Sequence, residues 1–229
     1  MRVFKTITYK TIVLLTLIIL TFTFIGGLFI KKTSYESKKF TVVIDAGHGG
    51  IDGGAQGVNT GVRESDLNLI IAKNLQGKFE ESGLVVVMTR VGDYGLYGTT
   101  DKGFKKRDLK AREEIFNNSL ADIGVSIHLN TYTSKSRRGA QVFFNKEIQE
   151  SKRLADIIQA KINGIGLMPR LYNALSGDYY LLNQSKVPTV IVECGFLSSP
   201  DDEKLLLSET YREYICNAIY KGCIEYLSV

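Results

Sequence analysis

The protein has two histidines, and each closes a run of apolar, largely β-branched residues. Val42-Val43-Ile44-Asp45-Ala46-Gly47 leads to His48, and Ile123-Gly124-Val125-Ser126-Ile127 leads to His128. Such runs read as buried strands. A third run, Thr189 to Val192, ends at Glu193, and a further carboxylate, Glu64, heads an amphipathic stretch. Two imidazoles and one carboxylate with an open fourth position are the ligand set of a hydrolytic zinc site. Imidazole nitrogen suits zinc better than magnesium or calcium, which prefer oxygen. A bound zinc would polarise a carbonyl and lower the pKa of its water to about 7. A carboxylate off the metal must then take the proton of that water and hand it to a leaving amine. The pattern nominates His48, Glu64 and His128 as ligands and Glu193 as the base.

The ligands are 16 and 64 residues apart, which is no short-range signature. On spacing alone, two core histidines satisfied by hydrogen bonds explain the pattern as well as a metal does. Asp45 reads as a partner of a ligand or as a turn residue. Asn130 reads as a support for His128, a substrate contact or a plain turn. Arg90 reads as a solvated strand-end residue or a contact for a substrate carboxylate.

These side chains can meet only if the strands carrying them run parallel, so that their C-terminal ends share one edge. In open α/β sheets that edge is where ligands bind. Leu67, Ile71 and Leu75 recur at four-residue spacing and predict a helix over 64–81. Further helices are expected at 107–118, 147–162 and 211–227, with Tyr214 in the buried stripe of the last. Strands are expected at 40–44, 84–88, 121–129, 140–144, 179–182 and 189–192. The alternation predicts a single α/β domain, a twisted and mostly parallel sheet flanked by helices on both faces. The loop 49–63 holds six glycines without the spacing of a phosphate or dinucleotide loop. It is expected to wrap closely around a site.

A chain of 229 residues suits one domain, and 44% apolar with 23% charged residues is ordinary for a globular protein. The net charge of +5 has a local origin. Arg2, Lys5, Lys10, Lys31 and Lys32 are five of the 29 basic residues, and the remaining 24 balance the 24 acids. The body is neutral, so the charge gives no footing to nucleic-acid binding, and no recognition helix or RNA-binding motif is present. Cys216 and Cys223 lie on one expected helix about 10.5 Å apart, beyond the ~7 Å reach of a disulfide. With Cys194 they are expected to be free, buried thiols.

Residues 11–30 form an uncharged apolar run of 20 between Lys10 and Lys31. That length spans a hydrocarbon core of ~30 Å. Residues 1–32 are therefore expected to be a signal peptide or an uncleaved membrane anchor, with 33–39 as a polar linker and the folded domain over 40–229. The domain is accordingly expected outside the cytoplasm.

Val43-Ile-Asp-Ala-Gly-His48-Gly-Gly, then Glu64, then Ser126-Ile-His128-Leu-Asn130, then Val192-Glu193-Cys-Gly-Phe-Leu-Ser198 follow one another across residues 40–225. In these segments the sequence resembles the zinc-dependent N-acetylmuramoyl-L-alanine amidases of bacterial cell-wall metabolism. The resemblance implies Zn2+ on His48, Glu64 and His128, with Glu193 as the catalytic glutamate. It implies peptidoglycan as substrate, cut at the amide between the lactyl group of N-acetylmuramic acid and L-alanine. Thr131 and Cys194 depart from the more usual residues beside these motifs, and neither is a proposed ligand. A short amidase behind one N-terminal apolar segment is similar to the spore-cortex amidases, which prepare the muramic-δ-lactam read at germination. Two alternatives stay open: a membrane-tethered peptidoglycan-binding protein without catalysis, and a zinc peptidase cutting within the stem. An accessory protein that orders the 49–63 loop and so assists zinc binding is a further expectation, prompted by that loop's glycines.

Overall fold

The two histidine-bearing runs lie side by side at the centre of a six-stranded sheet. The computed structural model describes residues 8–29 and 39–228. The strands are β1 (Thr41–Ala46), β2 (Val85–Met88), β3 (Ile123–Asn130), β4 (Gln141–Phe144), β5 (Leu175–Ser176) and β6 (Thr189–Phe196). The helices are α1 (Tyr9–Phe29), α2 (Glu64–Glu81), α3 (Phe104–Asn118), α4 (Gln149–Asn163), α5 (Tyr180–Gln184), α6 (Pro200–Leu207) and α7 (Glu209–Leu227).

The sheet order is β2-β1-β3-β6-β4-β5. Every pairing is parallel except that of β4 with β6. The sheet is thus mostly parallel, as expected from the sequence, and mixed through the one β4–β6 pairing. A parallel partner needs a crossover of a dozen or more residues. The link from β3 to β4 is short and carries no helix, and β4 runs antiparallel beside β6.

Helices cover both faces. Val42, Ile44 and Ala46 of β1 join the main core with α2, α4 and α7, through Leu67, Ile71, Leu75, Leu154, Ile158, Ile215 and Ile219. Val43, on the opposite face, packs with Phe116 of α3 and Leu181 of α5. Cys194, Cys216 and Cys223 are free and buried, as expected.

Three expectations are corrected. The segment 179–182 is not a strand: Tyr180–Gln184 is a helical turn, and the edge strand is Leu175–Ser176 instead. Two tyrosines and two leucines carry strand propensity, but burial of Leu181 against Phe116 and Val43 overrides it. Tyr214 is exposed, not part of the buried stripe of α7. Helix α6 was not expected, although Ser199 caps it by accepting from the Asp202 amide and Pro200 opens it.

The chain divides into two units between Lys38 and Lys39. In the N-terminal unit, α1 covers most of the apolar run 11–30. Among the described residues, no helix is long and apolar enough to cross a membrane. The expected linker lies, but for Lys39, outside the described residues.

Candidate metal centre

β1 delivers His48 on a turn just past its end. His48 takes the left-handed conformation, φ 61°, which a non-glycine residue adopts only at some cost in strain. Gly47 before it is needed for space: a Cβ there would stand 2.3 Å from Nε2 of His128. Glu64 is the first residue of α2 and is 4% exposed. Its Oε1 lies 3.2 Å from Nε2 of His48 and 3.0 Å from Nδ1 of His128. One ligating atom from each of the three lies within 4.8 Å of the others. The two imidazoles meet edge to face at 5.0 Å between centroids. The sheet edge therefore brings together the three residues that the sequence nominates as ligands.

Two of them are held by groups outside the trio. The Leu129 amide donates to Glu64 Oε1 at 3.1 Å, and the Ala55 amide donates to Oε2 at 2.8 Å. His48 Nδ1 lies 3.0 Å from Asp52 Oδ2, which leaves Nε2 facing Glu64. A carboxylate on the outer nitrogen is how proteins orient a ligating imidazole. Sequence reasoning missed Asp52; its signal was an acid four residues after a histidine.

The charges fit a cation. Burial opposes ionisation of Glu64, yet hydrogen bonds to His128 and His48 hold it well below the carboxylate range. Burial likewise opposes charge on His48, and Glu64 and then Asp52 outweigh it, raising the imidazole to about 9. His128 is raised in the same way. The group thus attracts positive charge, which two protons or one metal ion can supply. Two nitrogens and an oxygen facing one another are a donor set for such an ion.

Glu193 sits within β6 as the register partner of His128. Its Oε2 is buried without a hydrogen-bond partner. Burial pushes its carboxyl up to about 7, against the pull of His128. A carboxyl near neutrality beside a polarised site has the pKa a general base needs. A cavity of about 320 Å³ opens beside His48 and His128, between Leu109 and Arg112 of α3 and residues Tyr179 and Leu181.

The 49–63 loop wraps the site as closely as expected. Gly54, at φ 68°, leaves no room for a Cβ, which would stand 2.5 Å from Glu64 Oε2. The loop is also tied down. Glu203 of α6 accepts from the Asn59 amide at 2.8 Å and from Thr60 Oγ1 at 2.7 Å. Arg63 pairs with Asp66 and Asp93, each at 2.7 Å. Asn130 ends β3, and its Oδ1 accepts from the Thr131 amide at 2.8 Å. Asp45 is 1% exposed and accepts from Thr89 and Ser126. Arg90 fits neither reading made of it. It is 1% exposed, so it is neither solvated nor open to substrate.

Fold and site together describe an α/β domain with a candidate metal centre at the C-terminal edge of its central strands. The chain belongs to the N-acetylmuramoyl-L-alanine amidase family (Amidase_3), whose profile matches residues 42–225. With that family it is a peptidoglycan amidase. It is 34% identical over 191 residues to the germination-specific N-acetylmuramoyl-L-alanine amidase of Bacillus subtilis, covering 82% of this chain and 79% of the relative. Among solved structures it is similar to the CwlD amidase of Clostridioides difficile in complex with the GerS lipoprotein. That match has 40% identity and a TM-score of 0.77, covering 83% of this chain and 99% of that one. It is also similar to an N-acetylmuramoyl-L-alanine amidase of Clostridium difficile 630, at 33% identity and a TM-score of 0.75, covering 84% and 98%.

Proposed function

We propose that the chain hydrolyses the amide between the lactyl group of N-acetylmuramic acid and the L-alanine of the stem peptide, with Zn2+ held by His48, Glu64 and His128. The observation that carries this reading is the meeting of these three side chains, with Glu193 the register partner of His128 and its Oε2 unbonded among the described residues. Zinc supplies a Lewis acid and a water acidic enough to react at neutral pH. Two imidazole donors favour it over magnesium or calcium. Asp52 orients His48, and the Leu129 and Ala55 amides orient Glu64. Glu193 Oε2 accepts the proton of the attacking water and returns it to the leaving alanine nitrogen. Burial around it keeps bulk water from competing for that proton.

The likeness to a germination-specific amidase supports a role in spore-cortex maturation, the route to muramic-δ-lactam. The lipoprotein in the C. difficile complex supports a protein partner for this chain too. The apolar run 11–30 supports an N-terminal signal or anchor, over 1–32, that carries the 40–229 domain across the membrane. The test is digestion of cortex and vegetative peptidoglycan side by side by the full-length chain, read by mass spectrometry. Freed lactyl carboxylates are expected, with cortex the better substrate. Shortened stem peptides would instead mark a peptidase, and no release a mere binder.

A further inference from the structure

Among the described residues two arginines are almost wholly buried, and neither has a part in the reaction above. Arg90 follows β2 and is 1% exposed; Arg112 belongs to α3 and is 2% exposed. A buried guanidinium is costly unless it is paired and hydrogen-bonded. Among the described residues Arg90 makes no ion pair with a carboxylate, and its hydrogen bonds go to backbone carbonyls. Nε donates to the Ala46 carbonyl at 2.8 Å and Nη1 to that of Gly92 at 2.9 Å. Nη2 donates to the carbonyls of Gly47 at 3.0 Å and Ser65 at 2.8 Å.

Those partners have a pattern. Gly47 precedes His48, and Ser65 follows Glu64. One nitrogen of Arg90 therefore ties the turn that carries the first histidine to the helix start that carries the glutamate. Asn68 repeats the tie, donating to the Gly47 carbonyl at 3.2 Å and to Glu64 Oε1 at 3.3 Å.

Arg112 makes the second tie. Its Nη2 donates to the carbonyl of His48 itself at 2.7 Å, and its Nη1 to that of Ala46 at 2.9 Å. It also pairs with Asp45 and, through Nε, with Asp108 at 2.7 Å. Asp45 Oδ2 in turn accepts from Ser126 Oγ at 2.6 Å, two residues before His128 on β3. Three consecutive carbonyls, 46 to 48, are thus taken by two guanidiniums, and the strained turn at His48 is fixed from both sides.

We infer that Arg90 and Arg112 form a brace that sets the spacing of His48, Glu64 and His128, and so the affinity of the site for its metal. They are positioning residues: Arg112 also lines the cavity beside His48 and His128, but both guanidiniums reach the ligands through the carbonyls of residues 46 to 48. The planar fork of arginine can reach several carbonyls at once, and the ammonium of lysine cannot replace it there. The inference rests on the metal reading above.

The test is zinc affinity of the full-length chain, by competition with a chromophoric chelator, together with Tm. Arg90→Lys and Arg112→Lys are expected to bind zinc about 10- to 100-fold more weakly than wild type, the usual cost of losing support behind a ligand. Ile158→Ala, a core truncation on α4 away from the site, is expected to lower Tm and leave zinc affinity unchanged. Should either lysine variant fail to fold, Ser126→Ala cuts only the link from Asp45 to β3 and is expected to weaken zinc several-fold. Wild-type zinc affinity in folded Arg90→Lys and Ser126→Ala overturns the brace while leaving the metal reading intact. A wild-type chain that binds no zinc overturns both.

Discussion

Glu193 is the register partner of His128 in the parallel pairing of β3 and β6, and its Oε2 has no hydrogen-bond partner among the described residues. A buried carboxylate oxygen without a partner is expensive to keep. In the proposed function it is kept to take the proton of the attacking water. Glu193→Gln preserves shape and removes the basic oxygen. It is expected to lower kcat by about 10²- to 10⁴-fold, the range of general base catalysis, with zinc content unchanged. Full turnover in this variant would show the base to be elsewhere.

The same carboxyl predicts a pH dependence. Burial raises Glu193 to about 7 in the metal-free site. Its protonated form cannot accept a proton, so kcat/KM is expected to fall with a slope of one proton on the acid side. A bound cation favours the carboxylate, so the midpoint is expected below about 7. The limb is expected to be absent from the residual activity of Glu193→Gln, and its persistence there would assign it to another group.

Gly54 and Gly61 form a matched pair for the crowding at the site. Both hold left-handed φ, 68° and 70°. A Cβ at Gly54 would meet Glu64 Oε2 at 2.5 Å and His48 Cδ2 at 2.8 Å, whereas one at Gly61 meets nothing within 4 Å. Gly61→Ala is expected to cost stability alone, about 1 kcal/mol of backbone strain. Gly54→Ala is expected to weaken zinc binding as well. Equal zinc affinity in the two variants would contradict this packing.

Asp45 predicts how stability responds to acid. Its burial favours the neutral form, but Arg112, then His128, Ser126 and Thr89 outweigh that and hold it at about 2. The unfolded value is near 3.9, so the folded state binds fewer protons between the two. The contribution is present above about pH 4 and lost as pH falls through about 2, and it amounts to roughly 2–3 kcal/mol. The gap in unfolding free energy between wild type and Asp45→Asn is expected to narrow from pH 5 to pH 2. A constant gap would mean that Asp45 is not held as a carboxylate.

The four candidate residues could be picked out in the sequence because each closes or opens a run with a clear period, and three of them meet in the structure. His128 lies inside its strand as expected over 121–129, but Glu193, expected just past the strand 189–192, lies within β6, which continues to Phe196. A strand that passes into a glycine-containing segment leaves no local mark of where its ladder ends. The supports were not legible. Arg90 and Arg112 look like surface residues, and only tertiary burial against carbonyls from 46 to 48 changes that. The 49–63 loop looked mobile because the residue that fastens it, Glu203, comes from a helix far along the chain. Helix α6 could have been read from Ser199 and Pro200, which are an N-cap and a first helical residue in sequence. The turn at 180–184 is too short for a helical period to show.

The most direct measurement is anomalous diffraction at the zinc edge from crystals of the zinc-loaded chain. One peak is expected, bonded to one imidazole nitrogen each of His48 and His128 and to an oxygen of Glu64, with Glu193 near but not bonded. Zinc seated elsewhere, or a loaded site that leaves out any of the three, would contradict the account.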